Sequence, residues 1–164
     1  MPQVEIMSGY IPGAIGRVAE LHGVYYHREW DFGLFFEAKV ATELSTFLEV
    51  YDEQRDGFWV AVADGRVEGS IAVDGFKAAT EGAHLHWFVV SDGFQGQGVG
   101  QRLIETAIAF CRSQGYGRVF LWTFEGLDCA RHIYEKNGFR LVEQQTGARW
   151  GRAVSEQRFE LQLA

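Results

Sequence analysis

Two hydrophobic periods alternate along this chain, and the points where one gives way to the other mark out its elements. Phe58 to Ala63 and Val67 to Val73 are rich in β-branched and aromatic residues, and the Asp64-Gly65 pair between them is a tight-hairpin signal. Val4 to Met7, Ala83 to Val90, Arg118 to Phe124, Phe139 to Gln144 and Val154 to Leu163 read as further strands. Helical spacing appears over residues 12 to 30, 34 to 51, 98 to 114 and 127 to 136. In the second of these, Phe35, Val40, Leu44, Phe47, Leu48 and Tyr51 share a face; in the third, Leu103, Ile104, Ala107, Ile108 and Cys111 do. Pro12 suits a first helical turn, where its missing N–H costs nothing. Asp31-Phe32-Gly33 separates the first two helices, and Gly115 and Asn137-Gly138 end the later ones. The order β–α–α–β–β–β–α–β–α–β–β predicts a mixed α/β fold, with hairpins early and strand–helix–strand crossovers late. No repeat or low-complexity stretch interrupts it, so residues 1–164 read as a single domain.

Composition narrows the class. A chain of 164 residues suffices for one core, and a hydrophobic content of 47% with only two prolines argues against disorder. The formal charge of −7 disfavours nucleic acid as a partner and favours a cationic small substrate. Cys111 and Cys129 form no disulfide framework, and no Cys/His spacing suits a metal, which predicts a reduced, cytoplasmic setting and no metal site. The first residues lack the pattern of a secretory leader, and no apolar run approaches the ~20 residues of a membrane span. No membrane partner is expected.

The segment from Leu85 to Gly100 carries the chemistry. It runs from an apolar strand through a turn into a loop with Gly96, Gly98 and Gly100, then into a helix. Glycines let backbone approach a ligand closely, and the free N–H groups of a helix start attract anions. A phosphorylated ligand is the functional reading; a glycine-rich turn without a ligand is the bland one. A P-loop would need Lys and Ser or Thr after the last glycine, where Gln101 and Arg102 stand. In a dinucleotide fingerprint, counting from Gly96 or Gly98 puts Gln101 or Leu103 at the third glycine.

Gln95-Gly96-Gln97-Gly98-Val99-Gly100 resembles the acyl-CoA signature of the GNAT family of N-acetyltransferases, and Val90-Ser91-Asp92-Gly93-Phe94 resembles the strand end and turn before it. Ala130-Arg131-His132-Ile133-Tyr134-Glu135-Lys136-Asn137-Gly138-Phe139 resembles that family's second hallmark, in the expected order. Leu121-Trp122-Thr123 and the aromatic first helices look most like a branch fused to MarR-type winged-helix regulators, here with no residues left for the DNA-binding half. The resemblance implies a central twisted mixed sheet of six or seven strands flanked by about four helices. It also implies direct transfer of an acetyl group from acetyl-CoA to a primary amine in a ternary complex, and a possible homodimer.

The resemblance distributes roles along the chain. Amides around Gln95, Gly96, Gln97, Gly98, Val99, Gly100 and Gln101 would hold the pyrophosphate of CoA. Phe88, Val89 and Val90 would pair with its pantetheine arm as an added strand, with the Phe88 N–H facing the thioester oxygen. Ala130 would leave room for that arm, and Tyr134, one helical turn on, would donate a proton to the departing thiolate. Two positions depart from the family pattern: Leu127 stands at the usual Asn, and Trp122 stands at the usual Glu base. The base therefore stays open between His84, His86, Glu125 and water, with both histidines expected on the strand face of Phe88 and Val90. For the acceptor, Tyr25, Tyr26, His27, Trp30, Phe32, Phe35 and Phe36 suggest an aromatic pocket with Glu29 or Asp31 as ammonium anchor. A catalytically weak acyl-CoA sensor is the alternative function.

Overall fold

The computed structural model describes residues 2–163, so the two ends of the expected 1–164 domain lie outside the described residues. The observed order is β1 (Glu5–Ser8), α1 (Ala14–Trp30), α2 (Leu34–Glu49), β2 (Gly57–Ala63), β3 (Arg66–Asp74) and β4 (Ala83–Val90), then α3 (Val99–Ser113), β5 (Arg118–Phe124), α4 (Asp128–Lys136), β6 (Arg140–Gly147) and β7 (Val154–Gln162). The mixed α/β reading holds, and β4 and β5 have the predicted bounds. The seven strands form one sheet in the order β1-β2-β3-β4-β5-β7-β6. Among the described residues only the β4–β5 pair is parallel, joined by the α3 crossover.

Local chemistry explains the bounds. Ala63 pairs with Arg66 across a two-residue turn in which Asp64 and Gly65 have φ of 50° and 74°. Two left-handed residues give the turn twist that a hairpin favours. Asp31, at φ 57°, closes α1, its N–H bonding to His27 O, and Phe32 is buried before α2 begins.

Helices cover the sheet on both faces, and strand alternation sorts the core accordingly. Trp59, Ala61, Ile71 and Val73 point to the α3 side, where they meet Leu103, Ile104, Ala107 and Cys111. Phe58, Val60 and Ala72 point the other way, against Val18, Leu44 and Phe47 of α1 and α2.

One irregularity shapes everything downstream. Ala72 pairs with His86, but Ser70 pairs with Val89, so three steps along β4 match two along β3. The extra residue sits at Trp87, whose φ is 48°. This β-bulge shifts the side-chain alternation by one. Ala83 and Leu85 lie in the core under α3, as do Phe88 and Val90 after the bulge, whereas His84, His86 and Trp87 stack together on the opposite face. The expectation that His84 and His86 share a face with Phe88 and Val90 is therefore wrong. It presumed unbroken alternation.

The strand also bends away from its parallel neighbour. β4 and β5 pair only at Ala83–Val119 and His84–Phe120; beyond these the two strands separate. The buried Ser70 hydroxyl donates to Trp87 O at 2.7 Å and so fastens the bulge to β3. Replacing Ser70 by Ala should lower unfolding free energy by about 1 kcal/mol in urea titrations. The same variant should weaken CoA binding, since the bulge sets the direction of β4.

Candidate active site

The strands' separation opens a cleft of about 230 Å³ that passes from one sheet face to the other. Its walls come from β4 (Leu85 and Phe88), β5 (Leu121 and Thr123) and α4 (Leu127, Ala130 and Tyr134). At the far end stand His22 and Tyr26 of α1, Phe36, Lys39 and Glu43 of α2, and His84, His86, Trp122 and Arg149.

Beyond the open end of β4 the chain makes a short 3₁₀ turn over Asp92–Phe94 and then the glycine loop. Ser91 anchors the turn, its N–H bonding to Glu68 O at 2.8 Å and its hydroxyl to the Glu68 carboxylate, which Arg17 holds at 3.1 Å. Gly96 and Gly98 have φ of 76° and 81°, and Gly98 caps α3. Arg102 N–H to Gly98 O is the first bond of that helix. Among the described residues, no carbonyl or side chain accepts from the N–H groups of Gly96, Gln97, Gly98, Val99, Gly100 or Gln101. Six consecutive donors without an acceptor, at the positive end of a helix, suit a phosphate group. A diphosphate therefore fits the residues present.

The three loop glycines serve different ends. A Cβ on Gly96 or Gly98 would meet nothing within 4 Å, so their requirement is the left-handed backbone. One on Gly100 would stand 3.1 Å from Ile133 Cδ1 and 3.3 Å from Phe88 Cζ, so that glycine lets α3 pack against α4 and β4. The polar side chains of the loop are occupied. Gln95 Nε2 donates to Val90 O and Gln97 Nε2 to Gly93 O, while Gln101 exchanges amide bonds with Asn137 at 3.0 and 2.9 Å. The backbone N–H groups are the donors these residues turn to a ligand at the helix start.

Tyr134 lies one turn beyond Ala130 on the cleft side of α4, its ring between Phe88, Phe139 and Phe159 at 5.9 to 6.0 Å. Burial, and then the neighbouring Tyr26, push its ionisation well above the ordinary phenol range. It stays protonated.

The sequence profile of the acetyltransferase (GNAT) family matches residues 18–139. The chain belongs to that family. Human N-acetyltransferase 8B is 28% identical over 153 residues, which cover 91% of this chain and 67% of that protein. Mouse N-acetyltransferase 8 is 34% identical over 103 residues, 60% of this chain and 45% of its own. The chain spans between 38% and 67% of the length of the curated relatives it matches. A GNAT acetyltransferase from Staphylococcus aureus Mu50 superimposes with a TM-score of 0.77 at 18% identity, covering 99% of this chain and all of that one. The Salmonella typhimurium protein yncA, solved with acetyl-CoA as its cofactor, gives 0.77 at 16% identity over 99% and 95% of the two chains. At these identities the likeness establishes the GNAT fold, and the seven-stranded mixed sheet with four α-helices agrees with it.

Within this GNAT cleft the remaining sequence-predicted residues divide. Leu127 does line it, whereas Glu125 is exposed and its N–H bonds to Ser155 O. The proposed ammonium anchors are elsewhere: Asp31 pairs with Arg152 at 3.1 Å, and Glu29 is exposed and outside the lining. Trp30 packs edge-on against Phe124 at 4.9 Å and leaves the far end of the cleft to Tyr26 and Phe36. Cys111 is core, its thiol pushed up to about 12 by burial, and Cys129 is exposed outside the cleft.

Sequence reasoning missed His22, Lys39, Glu43 and Arg149. The first three had a signal, since His22 lies one turn before Tyr26 and Lys39 and Glu43 follow Phe36 at helical spacing. Arg149 had none, because it arrives from the loop between β6 and β7.

All three cleft histidines are neutral. Burial holds His22 down to about 4, against a bond from its Nδ1 to Val18 O. Burial, then Lys39, holds His86 to about 3, and burial with His86, Arg158 and Arg149 lowers His84. An unfolded chain titrates these groups near 6.5. Below that pH it takes up protons that the fold refuses, so the stabilisation is complete above 6.5 and is lost as pH falls toward 4 and then 3. The urea midpoint should fall from pH 7 to pH 5. His22→Asn should flatten that fall, by up to about 1.4 kcal/mol per pH unit.

Proposed function

We propose that this GNAT protein transfers the acetyl group of acetyl-CoA directly to a primary amine, both being bound at once. The six acceptor-free N–H groups at Gly96 to Gln101, directly beside the Tyr134 cleft, carry this reading. The presence of acetyl-CoA with yncA supports it. Acetyl-CoA supplies an acyl carbon activated by a thiol leaving group. The loop amides hold the diphosphate; Phe88, Val89 and Val90 lie along the arm, with the Phe88 N–H toward the carbonyl oxygen. Because Gln95 occupies Val90 O, pairing at that position falls to the N–H.

Net transfer forms a C–N bond, breaks the C–S bond, takes one proton from nitrogen and gives one to sulfur. Tyr134 donates a hydrogen bond to the sulfur. A phenol raised above its usual range is a weaker acid than a thiol of about 8.5, so the lasting proton on sulfur comes by way of solvent. At the acceptor end, His84 and His86 are too weakly basic to hold an ammonium proton. Lys39 and Arg149 beside them favour the neutral amine instead, which lets the proton leave through water. Weak basicity also favours the second reading, an acyl-CoA sensor with little turnover. One domain over residues 1–164, a cytoplasmic setting and a homodimer complete the proposal. The free thiols support the cytoplasmic setting, and the exposed β6 edge with Leu141 and Val142 supports self-association.

Calorimetry with CoA, followed by acetyl-CoA consumption across a panel of amines, tests this. Gly98→Val should weaken CoA binding at least ~100-fold, while left-handed strain of about 1–2 kcal/mol leaves the protein folded. Gly100→Val would push against Ile133 and Phe88 and is the poorer probe. Tyr134→Phe should lower kcat by about 100-fold or more with CoA affinity kept. In the wild type, no loss of rate from Tyr134 ionisation should appear up to about pH 10, because burial raises its pKa. CoA binding without turnover, and no effect of Tyr134→Phe, would establish the sensor.

A further inference from the structure

The acceptor end of the cleft is built around a guanidinium that the reaction outlined above does not require. Arg149 sits over Trp122, its central carbon 3.9 Å from the ring centroid, and both residues line the cleft. Glu156, almost wholly buried and outside the lining, accepts from Arg149 Nε at 3.2 Å and from Arg149 N–H at 2.9 Å. The carboxylate thus fixes the back of the side chain. No protein acceptor among the described residues engages Nη1 or Nη2. Arg158, paired with Trp122 across β5 and β7, repeats the arrangement: Nε on Glu160 at 2.9 Å, and the ring of Phe120 4.0 Å away. A stacked arginine pinned through Nε presents the two parallel N–H groups that match a carboxylate.

From this we infer that the acetyl acceptor is an amine that also bears a carboxylate, and that the Arg149 fork receives it with Arg158 in support. The inference rests on the acetyl-transfer reading and specifies its substrate class. Other observations agree. The single carboxylate lining the cleft is Glu43, already held by Lys39 at 2.9 Å, so no free anion there competes for the fork or invites a polycation. The cations Arg158 and Arg149, after burial and His86, depress His84, as a positive local field should. The overall charge of −7 suggested a cationic substrate, but the cleft lining itself counts Lys39 and Arg149 against Glu43 alone.

Matched amines with and without the carboxylate test the assignment: L-phenylalanine against phenethylamine, L-leucine against isoamylamine, and gamma-aminobutyrate against propylamine. For the preferred pair, kcat/KM should favour the carboxylate by about 10- to 100-fold, the size expected for a bidentate charged contact. Arg149→Met combined with Glu156→Gln, which avoids stranding the buried carboxylate, should collapse that ratio through KM. Arg149→Lys should keep part of it. Independently of turnover, the carboxylated member should raise the melting temperature of the CoA complex more than its partner does. Ratios near one in every pair, a preference untouched by the substitutions, or equal melting shifts would overturn the inference. Heat with CoA alongside any of these results would leave acetyl-CoA chemistry standing. No heat with CoA would remove both.

Discussion

A single extra residue in β4 governs the rest of the structure. The bulge at Trp87 does two things that a regular strand cannot do together. It turns β4 off the line of β5 after one pair of bridges, opening a gap in the middle of a sheet whose other strands stay paired. It also returns Phe88 and Val90 to the α3 face, where they pack beneath the helix that carries the glycine loop. A left-handed tryptophan costs backbone energy, of order 1–3 kcal/mol. The Ser70 hydroxyl, the stack on His86 and the contact with Phe47 offset that cost.

With the strands apart, the two ends of the cleft draw positive potential from different sources, without a metal ligand set among the described residues. At the β4 terminus the positive potential comes from main-chain N–H groups and the α3 dipole. The glutamine side chains brace the loop. At the far end it comes from guanidinium and ammonium groups held by their own carboxylates. Tyr134 on the α4 wall, and Tyr26 and the imidazoles beside the far-end cations, are all kept uncharged by burial.

Much of this was legible in the residues. The hairpin at Asp64-Gly65, the amphipathic face of α3 and the bounds of β4 and β5 follow from turn chemistry and periodicity, which are local properties. The glycine loop was legible for the same reason. The bulge was not. Neither glycine nor proline marks Trp87, and its left-handed backbone is imposed by tertiary packing around Ser70 and Phe47. Assigning His84 and His86 to the wrong face followed directly. The acceptor end was harder still, because Trp30 and its acidic neighbours look like a pocket in sequence but fold against Phe124 and Arg152. Arg149 reaches the cleft only because β6 and β7 return the chain there.

On the proposed reading, the weak basicity of His84 and His86 is a consequence of the cleft and need not be a defect. A carboxylate at Trp122 would stabilise an ammonium ion as well as deprotonate it, and it would neutralise Arg149 and Arg158. With tryptophan there instead, the ring carries a stacked guanidinium on its face, and the cleft's cations lower the proton affinity of any amine that enters. Imidazoles too weakly basic to be trapped as cations can still accept hydrogen bonds and pass a proton on. On the reading proposed above, the same positive charge that would recognise a carboxylate would also help to free the nitrogen lone pair, so one set of arginines would serve both selection and activation.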